Sequence, residues 1–310
     1  MNKKMFKFSI LMLILEFVFL FSGIQSGGLG YLVDADIDSY NMYKNEKINK
    51  YTKDLDKISL VEVNLFNSNF EIRKSENGKN YIEYYAKNEE DYTINLINEK
   101  LSIKSIEKAS NFSFKIGINL NHIKDYLVNG KTTNESFILY LSESELEKLN
   151  FDNFSGNLDI SDVTIKNINI NLKSGNCKLN NLNSDNIDLS NSAGNIYLEN
   201  ITNSNSISLD SKAGNIEVNN SKSNLYKIEN KAGNIKFKNI EVSSLLEVEN
   251  NAGNIKCSLV FNERNNYDVD VESNMGNSYV DKNFYRNATG EKTVRISLRS
   301  KAGNVRLERN

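Results

Sequence analysis

Apolar and polar residues alternate along most of this chain, and the alternation breaks at near-constant intervals on a small residue, a glycine and an asparagine. The copies read SGNLDI at 155–160, SGNCKL at 174–179, AGNIYL at 193–198, AGNIEV at 213–218, AGNIKF at 232–237, AGNIKC at 252–257, the looser MGNSYV at 275–280 and AGNVRL at 302–307. Two and four residues after each glycine the side chain is apolar, with Ser278 as the exception, and charged or tyrosine residues stand between. Five and seven residues before each glycine a second apolar pair recurs, for example Ile187 and Leu189 or Ile207 and Leu209. Period-2 alternation on both sides of a turn predicts two half-buried strands per repeat. The glycines Gly156, Gly175, Gly194, Gly214, Gly233, Gly253, Gly276 and Gly303 are separated by 19, 19, 20, 19, 20, 23 and 27 residues. A fixed period near twenty predicts stacked coils.

One coil cannot bury its two apolar rows alone, so the expectation is an all-β, parallel β-solenoid of 19–20-residue coils. Each strand pairs with the coils above and below and closes a dry interior. The glycine supplies the positive φ of a sharp corner. The following asparagines, such as Asn195, Asn215, Asn234 and Asn254, tolerate left-handed backbone and can bond along the stack. Turn chemistry accounts for that column without a ligand. Zero prolines fit strands paired on both edges.

The regular solenoid is expected over 149–310, after a less regular opening β section at 57–148. Within the opening section NGK at 77–79 reads as a hairpin turn. Residues 122–136 read as an excursion off the coil, and Ser142 with Glu145 reads as a capping box starting a short helical turn. Residues 34–56 are polar and aperiodic and read as a linker. Residues 1–33 read as a membrane segment. Lys3, Lys4 and Lys7 precede or open an apolar run at 8–24 that is close to the length needed to span a bilayer. The basic flank places the bulk of the chain outside the cytoplasm. A retained single-pass anchor is the favoured reading, and a cleaved signal peptide leading to secretion is the alternative. Extra residues near 262–268 and 281–293 predict side loops. Their Arg264, Tyr267, Phe284, Tyr285 and Arg286 are the candidate contact residues. The last coil is expected to present an open edge blunted by Arg295, Arg299, Arg306 and Arg309.

Composition narrows function more than it defines it. The chain has 310 residues, 25% of them charged, and a net charge of −2, with no basic stripe of the kind that binds nucleic acid. Cys177 and Cys257 both fall on inward positions four coils apart, too far for a disulfide, and read as small core residues. His122 is the only histidine and has no partner at ligand spacing, so neither metal nor cofactor is expected. No paired acids gather on one outward face, which disfavours a carbohydrate-cleaving β-helix enzyme.

The GN coils, the ISLVEV opening at 58–63 and the FILYLSESELEKLNFDNFSGNLDI entry at 137–160 resemble the adhesin-type β-strand-repeat family, or LiaG-like domain of unknown function. The resemblance covers residues 57–310. It implies a bacterial envelope protein of candidate adhesin type, and in some relatives an accessory to envelope-stress signalling, without catalytic residues to carry over. The expected function is therefore a non-enzymatic, membrane-tethered extracytoplasmic scaffold. It would present faces and loops to an envelope protein or surface polymer, and could associate with itself at the solenoid ends. An accessory sensor acting through the 8–24 span and Glu16 is the alternative, and a carbohydrate-active enzyme is the remote one.

Overall fold

The computed structural model describes residues 48–106, 135–142, 145–202, 204–285 and 292–310. The 8–24 run, Glu16, His122 and Arg286 lie outside them. Among the described residues no helix is long and apolar enough to cross a membrane.

Strands dominate, and they form two facing ladders. One ladder stacks, in spatial order, β6 (Lys100–Ser105), β2 (Leu60–Asn67), β8 (Leu146–Ser155), β10 (Ile165–Ser174), β12 (Asn186–Asn191), β14 (Ser204–Ser211), β16 (Lys222–Ala232) and the second half of β17 (Ile235–Ala252). It ends with β21 (Lys292–Ala302) and β19 (Asn265–Met275). The other stacks β7 (Ser136–Leu141), β3 (Asn69–Lys74), β9 (Leu158–Ser161), β11 (Cys177–Asn183), β13 (Ile196–Thr202), β15 (Ile216–Asn219) and the first half of β17. It ends with β18 (Ile255–Leu259), β22 (Val305–Arg309) and β20 (Ser278–Val280). Every pairing within these ladders is parallel, as the repeat pattern requires.

Register follows the inward columns. Ile168, Ile187, Ile207, Tyr226, Leu246, Ile296 and Val269 are successive partners on one ladder. Leu179, Leu198, Val218, Phe237, Cys257 and Leu307 are successive partners on the other. All but Val269 are buried. A one-residue slip would turn each row out to water, so burial pins the register. Outward pairs one coil apart, such as Lys166–Glu147 at 2.7 Å and Lys236–Glu217 at 2.9 Å, are exposed and contribute little stability.

Several expectations are corrected. Residues 60–74, expected as a less regular opening coil of the solenoid, form a full coil in register with β8 and β9. Residues 49–55, expected to be linker, form β1 (Asn49–Leu55), antiparallel to β4 (Asn80–Ala86). The NGK turn does not close a hairpin, because β7 lies between β3 and β4 and pairs with both. The tight hairpin is instead β5 (Tyr92–Ile97) with β6, turning on Asn98 and Glu99 at φ 50° and 60°. The helical reading of 142–149 does not hold from Leu146 on: β8 follows Glu145 at once, and its Leu146 and Leu149 are buried against the stack, while residues 143 and 144 lie outside the described residues.

Coil order departs from chain order at both ends. The first strands, β2 and β3, sit one coil in from the end occupied by β6 and β7. The last strands, β21 and β22, likewise fill the slot between β17–β18 and β19–β20. The expected open edge on the final coil is therefore wrong. Arg295 and Arg299 pair instead with Asp268 and Asp270 of β19, and Arg306 lies over the Tyr279 ring, 4.7 Å from its centroid. The long spacings of 23 and 27 residues mark these crossings: the chain must travel two coil heights, about 9.6 Å, and return.

Candidate functional site

The turn glycines and their asparagines build a continuous ladder along one corner. The backbone N–H of each asparagine donates to the side-chain Oδ1 of the one before it. The chain of bonds runs from Asn277 to Asn304, Asn254, Asn234, Asn215, Asn195, Asn176, Asn157 and Asn69, at 2.8 to 3.0 Å. The corner is tight because the coils nearly touch there: a Cβ on Gly214, at φ +145°, would stand 2.6 Å from the carbonyl carbon of Gly194.

Two further columns went unrecognised in the sequence. Six residues after each of five successive glycines stand Asp162, Asn181, Asn200, Asn220 and Asn239, all at φ between 46° and 60°. They form the second corner, with the Asn181, Asn200 and Asn239 amides donating to Asp162, Asn181 and Asn220 at 2.8 to 2.9 Å. Three residues before the glycine stand Asn153, Asn191, Asn230 and Asn250, which are buried. The Asn191, Asn230 and Asn250 amides donate to the Gly175, Gly214 and Gly233 carbonyls at 2.9, 3.2 and 2.8 Å. Their fixed offsets from the glycine were the available signal. A shallow groove of about 620 Å³ runs beside the second corner past Thr164, Asn181 and Asn200, lined by polar side chains together with Val163 and Leu182.

The candidate contact loops divide. Phe284 is buried, so it cannot serve as an exposed contact; it packs edge-on to Phe261 and Tyr267 at 5.3 and 5.2 Å. Tyr267 is half-buried and its hydroxyl accepts from the Asn262 N–H at 2.9 Å. Arg264 and Tyr285 are exposed. These aromatics close the side of the crossing rather than forming a surface.

The two ends of the stack differ. At the β6–β7 end, β5 pairs antiparallel with β6, and β4 with β7. Tyr84 stacks on Phe137 at 5.6 Å, and Tyr92 meets the same ring edge-on at 4.8 Å. Burial pushes the Tyr84 phenol up to about 12. Burial, with a hydrogen bond to the Glu135 carboxylate, also pushes Tyr92 upward, so both plug the end as neutral phenols. At the other end, among the described residues, no strand pairs with the outer side of β19 or β20. Val269, Val271 and Val280 are only half-buried there, and Met275 and Tyr279 are exposed.

Among the described residues no three His, Cys, Asp or Glu side chains gather in a way that could hold a metal ion. Cys177 and Cys257 are free and fully buried, and desolvation pushes both thiols well above their usual range.

A glycine-cornered, two-ladder stack with asparagine columns defines a solenoid-like β-strand-repeat protein. The chain matches the Toastrack DUF4097 family, a domain of unknown function, over residues 58–310 and belongs to it. No curated protein matches it. Among solved structures it is similar to a candidate adhesin from Bacteroides fragilis (12% identity, 85% of this chain and 98% of that one, TM-score 0.47). It is similar also to a candidate adhesin from Parabacteroides merdae (11%, 84% and 97%, 0.46) and to a candidate lipid-binding protein from Parabacteroides distasonis (16%, 85% and 97%, 0.43).

Proposed function

We propose that this protein is a non-enzymatic scaffold of the cell envelope, tethered through the apolar run at 8–24 with its β-stack outside the membrane, and that it works by adhesin-like interaction. The observation that carries this reading is the unbroken stacking of the coils along the length of the body. From Asn69 to Asn277 the side-chain column is continuous, and the interior rows are dry and apolar. Such a body is stiff along its axis and offers its faces and its open end, rather than an interior, to other molecules. Family membership and the basic residues preceding the apolar run support the same reading.

The test uses cells producing the full chain with a C-terminal tag. The expected result is an intact N-terminus in the membrane fraction, with the folded part removed by external protease. Recovery in the cytosol, or full protection from protease, overturns the placement. Release into the medium with the N-terminal segment missing replaces the tethered scaffold by a secreted one. Release of reducing sugars from cell-wall polymer by the purified protein would overturn the non-enzymatic reading.

A further inference from the structure

We propose that the open β19–β20 end is a docking edge for an extended segment that alternates basic and aliphatic residues, added beside β19 as one more strand of the stack. The proposal rests on the interaction-protein reading and names the chemistry of a partner.

Three observations on the edge point the same way. First, the stack is finished at one end and not at the other. The β6–β7 end carries antiparallel strands and two buried tyrosines, whereas among the described residues β19 and β20 have strand partners on one side only. Met275 presents its carbonyl inward to the Gly303 N–H. Strand alternation then turns the N–H and C=O groups of Asp270 and Glu272 to the open side, ready to pair. Second, the inward residues of β19 are incompletely covered. Val269 and Val271 are half-buried, while their partners Ile296 and Leu298 are buried completely. An added strand with aliphatic residues at the matching positions would cover them. Third, the outward residues of β19 are acidic in a row: Asp268, Asp270 and Glu272.

β21 shows what this row accepts. It is the strand already seated on the closed side of β19, and it places Arg295 opposite Asp268 and Arg299 opposite Glu272, between Val294, Ile296 and Leu298. Arg295 bonds Asp268 at 3.1 Å and Arg299 pairs with Asp270. The open side presents the same acids and the same apolar positions. A second copy is a poor occupant. Two β19 strands related by a two-fold axis, with their valines kept inward, would set one acidic row against the other, and like charges across strands are destabilising.

The probe is a labelled synthetic peptide KTVRISLRSKA, the sequence of residues 292–302, titrated into the full chain in detergent at low salt and followed by anisotropy. The comparison peptide carries Glu at every Lys and Arg. Binding of the basic peptide at least tenfold tighter than the acidic one is expected, weakening as salt is raised. Glu272→Pro removes an outward N–H without touching a bond to β21, and should weaken binding at least tenfold. Glu272→Lys reverses one exposed charge and should weaken it severalfold with the far-ultraviolet spectrum unchanged and the melting point only slightly lowered, since the new lysine stands opposite Arg299. Absence of binding, equal binding of the two peptides, or indifference to both Glu272 variants overturns the proposal. The last result would mean nonspecific binding or exchange with β21. A concentration-dependent dimer that Glu272→Pro dissolves, without peptide binding, would also overturn it and assign the edge to a second copy. None of these failures alters the fractionation and protease results, so the scaffold reading is judged separately.

Discussion

The corner at Gly214 can be tested quantitatively. Gly214→Ala adds one methyl group to a backbone at φ +145°, a region that residues with a side chain scarcely enter. Held there by its neighbours, a non-glycine residue costs about 1–3 kcal/mol. The new carbon would also stand 2.6 Å from the Gly194 carbonyl carbon and 3.3 Å from the Asn195 nitrogen, both backbone atoms of the next coil. Carbon atoms pack at about 3.5–4.0 Å, so the coils must part by close to an ångström, and overpacking of this kind costs about 1–3 kcal/mol. Parting the coils strains the bonds made across the corner, from the Gly194 N–H to the Ala213 carbonyl at 2.9 Å and from the Asn215 N–H to the Asn195 Oδ1 at 2.9 Å. The expected loss is about 2–6 kcal/mol, read as a lower urea midpoint by circular dichroism. Gly78→Ala is the internal control. Gly78 also has positive φ, at +70°, but nothing stands within 4 Å of its added carbon, so only the conformational cost of about 1–2 kcal/mol applies. If Gly214→Ala cost no more than Gly78→Ala, the close approach of successive coils would be refuted as the reason for glycine at the corner.

Asn250→Ala should cost about 1–3 kcal/mol in the same denaturation experiment, because it leaves the Gly233 carbonyl without its 2.8 Å bond inside the corner. Tyr226→Phe should leave stability unchanged or raise it by about 1 kcal/mol. Among the described residues the buried Tyr226 hydroxyl has no hydrogen-bond partner, and a measurable loss would show that it has one. Cys177 and Cys257 should not react with a thiol reagent at neutral pH until the stack is unfolded. Burial raises both thiol pKa values, so the reactive thiolate, populated only as pH rises through the pKa, is scarcer in the folded protein than in the unfolded chain. Labelling of either thiol at the rate of a free cysteine would contradict their place in the core.

Local information was enough for everything that repeats. Period-2 alternation assigned inward and outward rows, the constant spacing required parallel stacking, and the glycine with its asparagine located the corner, because each depends on residues within one coil. The columns led by Asp162 and by Asn153 were equally legible at fixed offsets from the glycine. They escaped notice because asparagine is common throughout the chain and their role needs the neighbouring coil as partner. What the tertiary structure alone decided is the order in which coils are laid down. Nothing local to β2 says that β6 will cover it, and nothing in KTVRISLRSKA says that it enters between two coils already made. The same strand pattern satisfies either slot, so the choice rests on loop lengths, on capping tyrosines brought from other strands and on charge pairing across the sheet. That choice turned the expected arginine-blunted end into an interior strand paired on both edges, and left the acidic β19 as the unpaired edge among the described residues.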